Sequence, residues 1–456
     1  MTTPTNAPET VAMVTSSATS LPRRPRAIRP GIRLTVRGRS LKLRRLRQPP
    51  AGIWRWLAIL GPGLIASVAG DDAGGIATTS LIGARVGYEL LWLLILLTVA
   101  LAVVQEMAAR LGVATGSGLL DLIRQRFGIG WALLAVTVIL VANAGVTATE
   151  FLGIAAASEI FGLSRWIAVP FAALGLWALM LYGNYFSVER IFLIMTLVFL
   201  AYPVAAILAH PDWTAVVHGA VVPSLRFDQG QLALVVALIG TTITPYQQLF
   251  QQSAVVEKGV GPRQYPSERL DAVVGAVMGN LIWLFVICAS AAALRPLGIV
   301  DISSATDAAR ALEPVAGPAA QVVFAFGLLG ASLLAGAVVP LATSYSVAEA
   351  FGFRKGIGLD YRRAPAFYML FTAMVAFGAL VALLPAAPII SLLVGIQVLN
   401  GLLLPVVLGF ILVLAADHRL MGGLANTTWQ AALGWLTLAV VTLATLALGV
   451  QTVSGS

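Results

Sequence analysis

The sequence predicts an all-α polytopic membrane protein with eleven transmembrane helices, and three observations carry that expectation. Of 456 residues, 59% are apolar and only 11% are charged, whereas an ordinary soluble domain carries about a quarter charged residues. Eleven apolar runs are each long enough to cross a bilayer, which takes about 20 residues. Basic residues also alternate between the segments joining those runs in the way that membrane orientation requires.

The charge is unevenly placed. The formal net charge is +9, but 11 of the 29 Lys and Arg lie in residues 1–50 beside a single acid, Glu9. That segment is +10, and the remaining 406 residues hold 18 bases against 19 acids. The segment is Thr/Pro/Ser-rich, then Arg-rich, and has no apolar core of signal-peptide type. It reads as a disordered basic cytoplasmic tail resting on anionic headgroups. Without interleaved aromatics it is not read as a nucleic-acid binder. A single cysteine, Cys288, excludes a disulfide scaffold and a thiolate metal cluster.

Residues 51–456 form the transmembrane domain, with expected spans at about 55–86, 88–110, 130–160, 165–184, 187–208, 230–257, 267–294, 317–348, 365–385, 387–415 and 428–450. Polar or Pro/Gly-rich stretches at 111–127, 209–229, 258–266 and 352–364 separate groups of them, and 303–312 reads as a short amphipathic helix before the eighth. With the N-terminus cytoplasmic, twelve bases from Arg110 to Arg419 fall in inner loops and five in outer segments, which obeys the positive-inside rule. The C-terminus is then outside. The expectation is a multi-pass cell-membrane monomer whose partners are the bilayer and a small substrate.

Two spans are interrupted at their middles. The first reads Gly61-Pro62-Gly63 and then Gly70-Asp71-Asp72-Ala73-Gly74-Gly75; the sixth reads Gly240-Thr241-Thr242-Ile243-Thr244-Pro245-Tyr246-Gln247. Hydrocarbon tolerates unwound backbone only where it is buried in protein or lines a cavity. First and sixth of ten are corresponding positions in an inverted five-plus-five repeat, here about 55–208 and 230–415, with an eleventh helix outside it. Interruptions so placed point to a transporter's binding site.

An intramembrane carboxylate is costly and a functional candidate. Adjacent residues of an unwound strand point apart, so one of Asp71 and Asp72 is expected to face the substrate, and Asp72 is the choice. Its oxygens, with carbonyls near Ala69 and the turn from Thr241 to Thr244, suit a hard divalent cation. Gln397 is a further ligand candidate. Gly70, Gly74, Gly75, Gly240 and Pro245 are candidate hinges. Asp71, Glu106, Glu150, Thr147, Tyr246 and Gln247 are candidates for a relay or vestibule. No catalytic set or phosphate loop is visible in or near the spans, so an enzyme is not expected and no prosthetic group is implied.

The motif Gly61-Pro62-Gly63 followed by Asp72-Ala73-Gly74-Gly75 resembles the first helix of the NRAMP divalent-metal transporters, whose motif is Asp-Pro-Gly-Asn. The resemblance continues in Ala109-Arg110-Leu111-Gly112, Glu150-Phe151-Leu152-Gly153, Val222-Pro223-Ser224, Phe324-Ala325-Phe326-Gly327 and around Gln397, covering about 55–450. It implies a LeuT-type inverted 5+5 repeat plus an extra helix, with helices 1 and 6 broken. It also implies import of a divalent metal by alternating access. Gly75 stands where the family has Asn, and Thr244 where it has the metal-binding Met of the sixth helix. Tyr246 and Gln251/Gln252 stand near its sixth-helix His residues. Thr147 replaces its proton-path Asp, while Glu150 matches its Glu.

Losing the thioether removes a soft ligand, and the loss of side chain at Ala73 and Gly75 is expected to widen the cavity for a partly hydrated ion. The pattern resembles the NRAMP-related magnesium branch, giving Mg²⁺ first and Mn²⁺ second. His210, His218 and His418 are expected in loops, so weak or no proton coupling follows. The alternatives are a proton-coupled Mn²⁺/Fe²⁺ transporter, an amino-acid carrier of the same fold, or a non-transporting metal sensor.

Overall fold

The computed structural model describes residues 33–36, 39–42, 60–225, 229–298, 305–384 and 389–454, and the chain divides into units 1–55 and 56–456. In the first unit, β1 (Arg33–Val36) pairs antiparallel with β2 (Arg39–Lys42), Arg33 opposite Lys42. The rest of the expected tail lies outside the described residues.

The described residues of the second unit form helices joined by turns and loops. The first span is split into α1 (Pro62–Ala69) and α2 (Ala73–Val86). There follow α3 (Leu91–Thr115), α4 (Leu119–Phe127), α5 (Ile129–Ile160) and α6 (Arg165–Tyr182). The fifth span comprises α7 (Tyr185–Met195), a 3₁₀ turn at Thr196–Leu200 and α8 (Ala201–Leu208). Pro203 lacks an N–H and crowds the carbonyl four residues back, at Phe199, which accounts for the tightened turn inside an otherwise apolar run.

After α9 (Trp213–Val221), the sixth span is split into α10 (Gln229–Thr242) and α11 (Pro245–Lys258). Then come α12 (Tyr265–Leu294), α13 (Ala305–Phe351), α14 (Pro365–Leu383), α15 (Ile389–Ala416), a single turn α16 (His418–Met421) and α17 (Thr428–Ser454). Ten helical segments among the described residues are long and apolar enough to cross a membrane. Neither half of the split first span reaches that length, and counting the two together gives the eleventh span.

Three expectations are corrected. The separate short helix at 303–312 is not separate: its described residues continue into α13, one helix of 47 residues, about 70 Å at 1.5 Å per residue. Prolines 314 and 318 near its start do not end it. Secondly, His218 and His418 lie in the short helices α9 and α16, with only His210 in a loop, at φ 48°. All three stay outside the candidate spans. Thirdly, the break around Thr196 was not anticipated.

The broken helices sit at the centre. α12 packs along α1, α2 and α3; α10 and α2 pack against α15; α11 packs against α3, and α13 against α5. All eight residues of α1 are buried. By contrast α6 and α17 are mostly uncovered, and large apolar side chains such as Phe171 face outward, as a lipid-facing surface demands.

Candidate functional site

At the first break the backbone leaves the helix at Gly70 and re-enters it at Ala73. Pro62 sits in the first turn of α1, where a missing N–H costs nothing. The amides of Gly61, Gly63 and Leu64 donate to the Asp271 carboxylate at 2.9, 2.7 and 3.1 Å. At the far side of the break, Asp72 is the N-cap of α2, its Oδ1 accepting from the Gly75 amide at 2.6 Å. An aspartate here also complements the positive end of the half-helix. The same Oδ1 accepts from Gln397 Nε2 of α15 at 2.8 Å. Tyr246 Oη, at the start of α11, donates to the Ala69 carbonyl at 2.8 Å and lies 3.3 Å from Asp72 Oδ2.

The second break is built in a similar way. α10 ends at Thr242, Thr244 caps α11 and Pro245 opens it. Gln247 Oε1 accepts from the Thr244 amide at 3.1 Å while its Nε2 points to the Ser67 carbonyl of α1 at 3.4 Å. This side chain therefore ties the two breaks together. Asn400 Nδ2 donates to Gln397 Oε1 at 3.0 Å and so holds the glutamine toward Asp72.

Glu150 of α5 closes the cluster from the other side. Its Oε2 accepts from the Ala73 amide at 3.2 Å and its Oε1 from Thr149 Oγ1 at 3.3 Å. Asp72, Glu150, Gln397, Thr241, Thr244 and Tyr246 are all 0% exposed, so these groups are out of contact with solvent. No ion pair to Asp72 or Glu150 exists among the described residues, nor any group of three His, Cys, Asp or Glu side chains fit to hold a metal. What converges is the Asp72 carboxylate, with Glu150 one residue away at the Ala73 amide, among carbonyl, amide and hydroxyl oxygens. The Oγ1 atoms of Thr241 and Thr244 and Oδ1 of Asn400 are buried and have no hydrogen-bond partner. Buried oxygens left without donors are what a cation can satisfy.

The nominated residues divide. Asp72, Ala69, Tyr246 and Gln397 meet directly, and Thr241 joins through Gly75, since a Cβ there would strike both Thr241 Oγ1 and the Trp283 ring. Thr244 joins through Gln247. Asp71 is turned toward Gly279 of α12, where its Oδ2 lacks a partner, in keeping with the expectation that the two aspartates diverge.

Other expectations need correction. Gly75 does not widen the cavity, because Trp283 fills the room its missing side chain leaves. None of Gly70, Gly74, Gly75 and Gly240 has a positive φ, so their shared property is close approach. A Cβ on Gly70 would overlap the Gln247 amide, one on Gly74 would lie 2.5 Å from Gln397 Nε2, and one on Gly240 would lie 2.5 Å from the Gly401 nitrogen. Glu106 does not join the cluster around Asp72: it pairs with Arg110 at 3.2 Å and takes hydrogen bonds from Tyr265 and from Gln430 at 3.1 Å. Thr147 donates to the Asn143 carbonyl at 2.7 Å and packs against Gly378, away from Asp72.

Three residues of the site were not nominated from sequence: Asp271, Trp283 and Asn400, the last of which reads as an ordinary interhelical hydrogen-bonder. Asp271 follows Glu268-Arg269-Leu270 at the start of a span and reads as an ordinary interfacial acid. Trp283 reads as a packing aromatic. The only signal for Asp271 was that it lies two residues beyond Arg269 and three beyond Glu268, toward the apolar part of the span.

A family model described as natural resistance-associated macrophage protein-like matches residues 63–451 of the chain. The divalent metal cation transporter MntH of Deinococcus radiodurans is 32% identical over 405 residues, covering 86% of this chain and 89% of that one. MntH of Ralstonia nicotianae is 32% identical over 430 residues, covering 89% and 94%. Among solved structures, the Eremococcus coleocola manganese transporter superposes with a TM-score of 0.68 at 19% identity, covering 88% of this chain and 87% of that chain. Mhp1, a nucleobase-cation-symport-1 family transporter, gives 0.55 at 14% identity, covering 85% and 90%. The architecture is therefore the LeuT-type one.

Proposed function

The chain belongs to the Nramp family, and from that premise we propose that it carries a divalent metal cation across the cell membrane by alternating access, Mg²⁺ first and Mn²⁺ second. One observation carries this reading: a buried carboxylate, Asp72, stands among oxygen donors where two broken helices cross, without a cationic partner among the described residues. Relatives whose names give divalent metal cations and manganese as substrate support the ion class.

The order of the two ions rests on donor hardness. Among the described residues no imidazole, thiolate or thioether hydrogen-bonds Asp72, and oxygen-only sites suit Mg²⁺ and Mn²⁺. An amino-acid carrier would need the first amides of a half-helix for its substrate's carboxylate. Here the Ala73 and Gly75 amides are already taken by Glu150 and Asp72.

Alternating access then assigns the motions. α1 and α11 swing to open the inner path, and α2 and α10 gate the outer one. α11 is held on the inner side by Ser253, which donates to Glu349 at 2.8 Å, and by Glu257, which takes bonds from Tyr345 and from the Gly358 amide at 2.9 Å. These contacts must break for the ion to leave inward. The charge distribution favours a cytoplasmic N-terminus and an outer C-terminus.

The test is ion competition in proteoliposomes among Mg²⁺, Mn²⁺, Ca²⁺ and Fe²⁺, repeated with Thr244→Met. Thr244 Oγ1 has no partner to lose, so the substitution adds a thioether without breaking a hydrogen bond. The Mn²⁺-to-Mg²⁺ preference should rise about tenfold or more; an unchanged ratio refutes the donor argument. Gly75→Asn is no suitable companion, because Trp283 occupies its space.

No histidine lies in a candidate span, which supports weak or no proton coupling, with uptake driven by an inside-negative potential at about 2.3 kcal/mol per charge per 100 mV. Glu150, buried one residue from the ion's carboxylate at the Ala73 amide, favours the contrary reading, a proton-coupled Mn²⁺ carrier. An internal pH dye decides: Mg²⁺ uptake should proceed without stoichiometric acidification, and acidification matching the flux establishes coupling.

A further inference from the structure

We infer that the groove between α3, α12 and α17 is a binding site for one anionic phospholipid. Its volume is 310 Å³, and its wall includes Thr98, Val103, Glu106, Arg269, Val277 and Trp429. That volume is at the lower end of those that hold small ligands. None of its lining residues belongs to the ion site, and it lies between helices that the transport reading leaves in place.

Its chemistry is divided along its length. Arg269 to Val277 on α12 and Glu106 to Thr98 on α3 each span eight residues, about 12 Å of helix. The deep end is apolar apart from Thr98, whose hydroxyl already accepts from Asn280 Nδ2 at 2.8 Å. The mouth holds Arg269, exposed and without an ion pair among the described residues. Trp429, 51% exposed, stands beside it, and an indole with one wet end settles at headgroup level.

The one acid in the wall does not cancel that charge. Glu106 is taken up by Arg110, Tyr265 and Gln430, so Arg269 is the uncompensated cation. A phosphate on Arg269 and an acyl chain along Val103 and Val277 match the groove end for end. Basic pockets between transmembrane helices select anionic headgroups by this arrangement. The same end carries Arg110, whose guanidinium bonds Asn426 at 2.6 Å and Gln430 at 3.0 Å. A lipid seated there would therefore brace the loop that leads into α17.

The test is native mass spectrometry of the purified full chain, delipidated and titrated with phosphatidylglycerol or with phosphatidylcholine of matched acyl chains. One saturable phosphatidylglycerol adduct is expected, preferred about fivefold or more over phosphatidylcholine, in line with the strength of one basic residue at a membrane surface. Arg269→Gln should bring the two lipids to parity, and Arg269→Lys should restore part of the preference. Ala102→Phe, which fills the groove, should weaken both lipids. Equal binding by the wild-type chain, an adduct count that climbs without a plateau, or an unchanged preference in Arg269→Gln overturns the proposal.

Discussion

Asp72→Asn should leave the protein folded and reduce Mg²⁺ and Mn²⁺ flux at least about 100-fold, equivalent to about 2.8 kcal/mol of lost ion binding. The asparagine is chosen because the aspartate has two jobs. As N-cap, its Oδ1 takes the Gly75 amide and the Gln397 amide, and an asparagine oxygen can accept both. Its second oxygen lies 3.3 Å from Tyr246 Oη, where an Nδ2 can donate instead. Only the charge is lost. A divalent ion leaving water needs at least one formal negative charge to offset its hydration, and none of the direct partners of Asp72 carries one.

Asp72→Ala should lose flux to the same extent and lose the cap as well, so only its thermal stability should fall below that of Asp72→Asn. Flux above a tenth of wild type in folded Asp72→Asn would remove Asp72 as the ion's anchor. Glu150 would then be the remaining acid at the site.

The span count and both breaks were legible in the sequence because the signals are local. Apolar runs of about 20 residues, and Gly/Pro interruptions within two of them, need no tertiary information. Asp72 was legible for a similar reason, since the bilayer makes any unpaired acid conspicuous. What stayed hidden depends on pairs far apart in the chain. Gln397 meets Asp72 across 325 residues, and composition shows only that a polar side chain lies in the tenth span. The space at Gly75 was misread because an absent side chain says nothing of what fills the gap, and the occupant, Trp283, comes from another helix. Glu106 and Thr147 look as polar in sequence as Gln397 does. Their roles separate only when Arg110 and the Asn143 carbonyl are seen to satisfy them. The 3₁₀ turn before Pro203 was missed because a proline in an apolar run can either kink a helix or merely tighten it.

Asp271→Ala should be the most destabilising single substitution in the broken helices, at about 3 kcal/mol or more, and should shift the protein toward an inward-open state. The reasoning starts from the length of α1. Eight residues cannot sustain a helix alone, because nucleation is unfavourable and few bonds follow it. Nor can its first amides find partners within the helix. Three of those amides, from Gly61, Gly63 and Leu64, converge on the two Asp271 oxygens, and Gly63 itself is packed so closely that a Cβ would lie 2.6 Å from the Ala272 nitrogen.

An alanine at 271 leaves all three donors buried without acceptors, each costing about 1–3 kcal/mol. The cost is relieved if α1 moves away from α12 and lets water in, which is the motion assigned to inner opening. Asp271→Asn keeps one acceptor oxygen and should fall between the two. In a Cys288→Ala background, a cysteine at Ser67 should label from the inner side several-fold faster in Asp271→Ala than with Asp271 intact, and the melting temperature should drop by several degrees. Unchanged labelling together with an unchanged melting temperature would show that α1 is held by apolar packing alone and that Asp271 is not its latch.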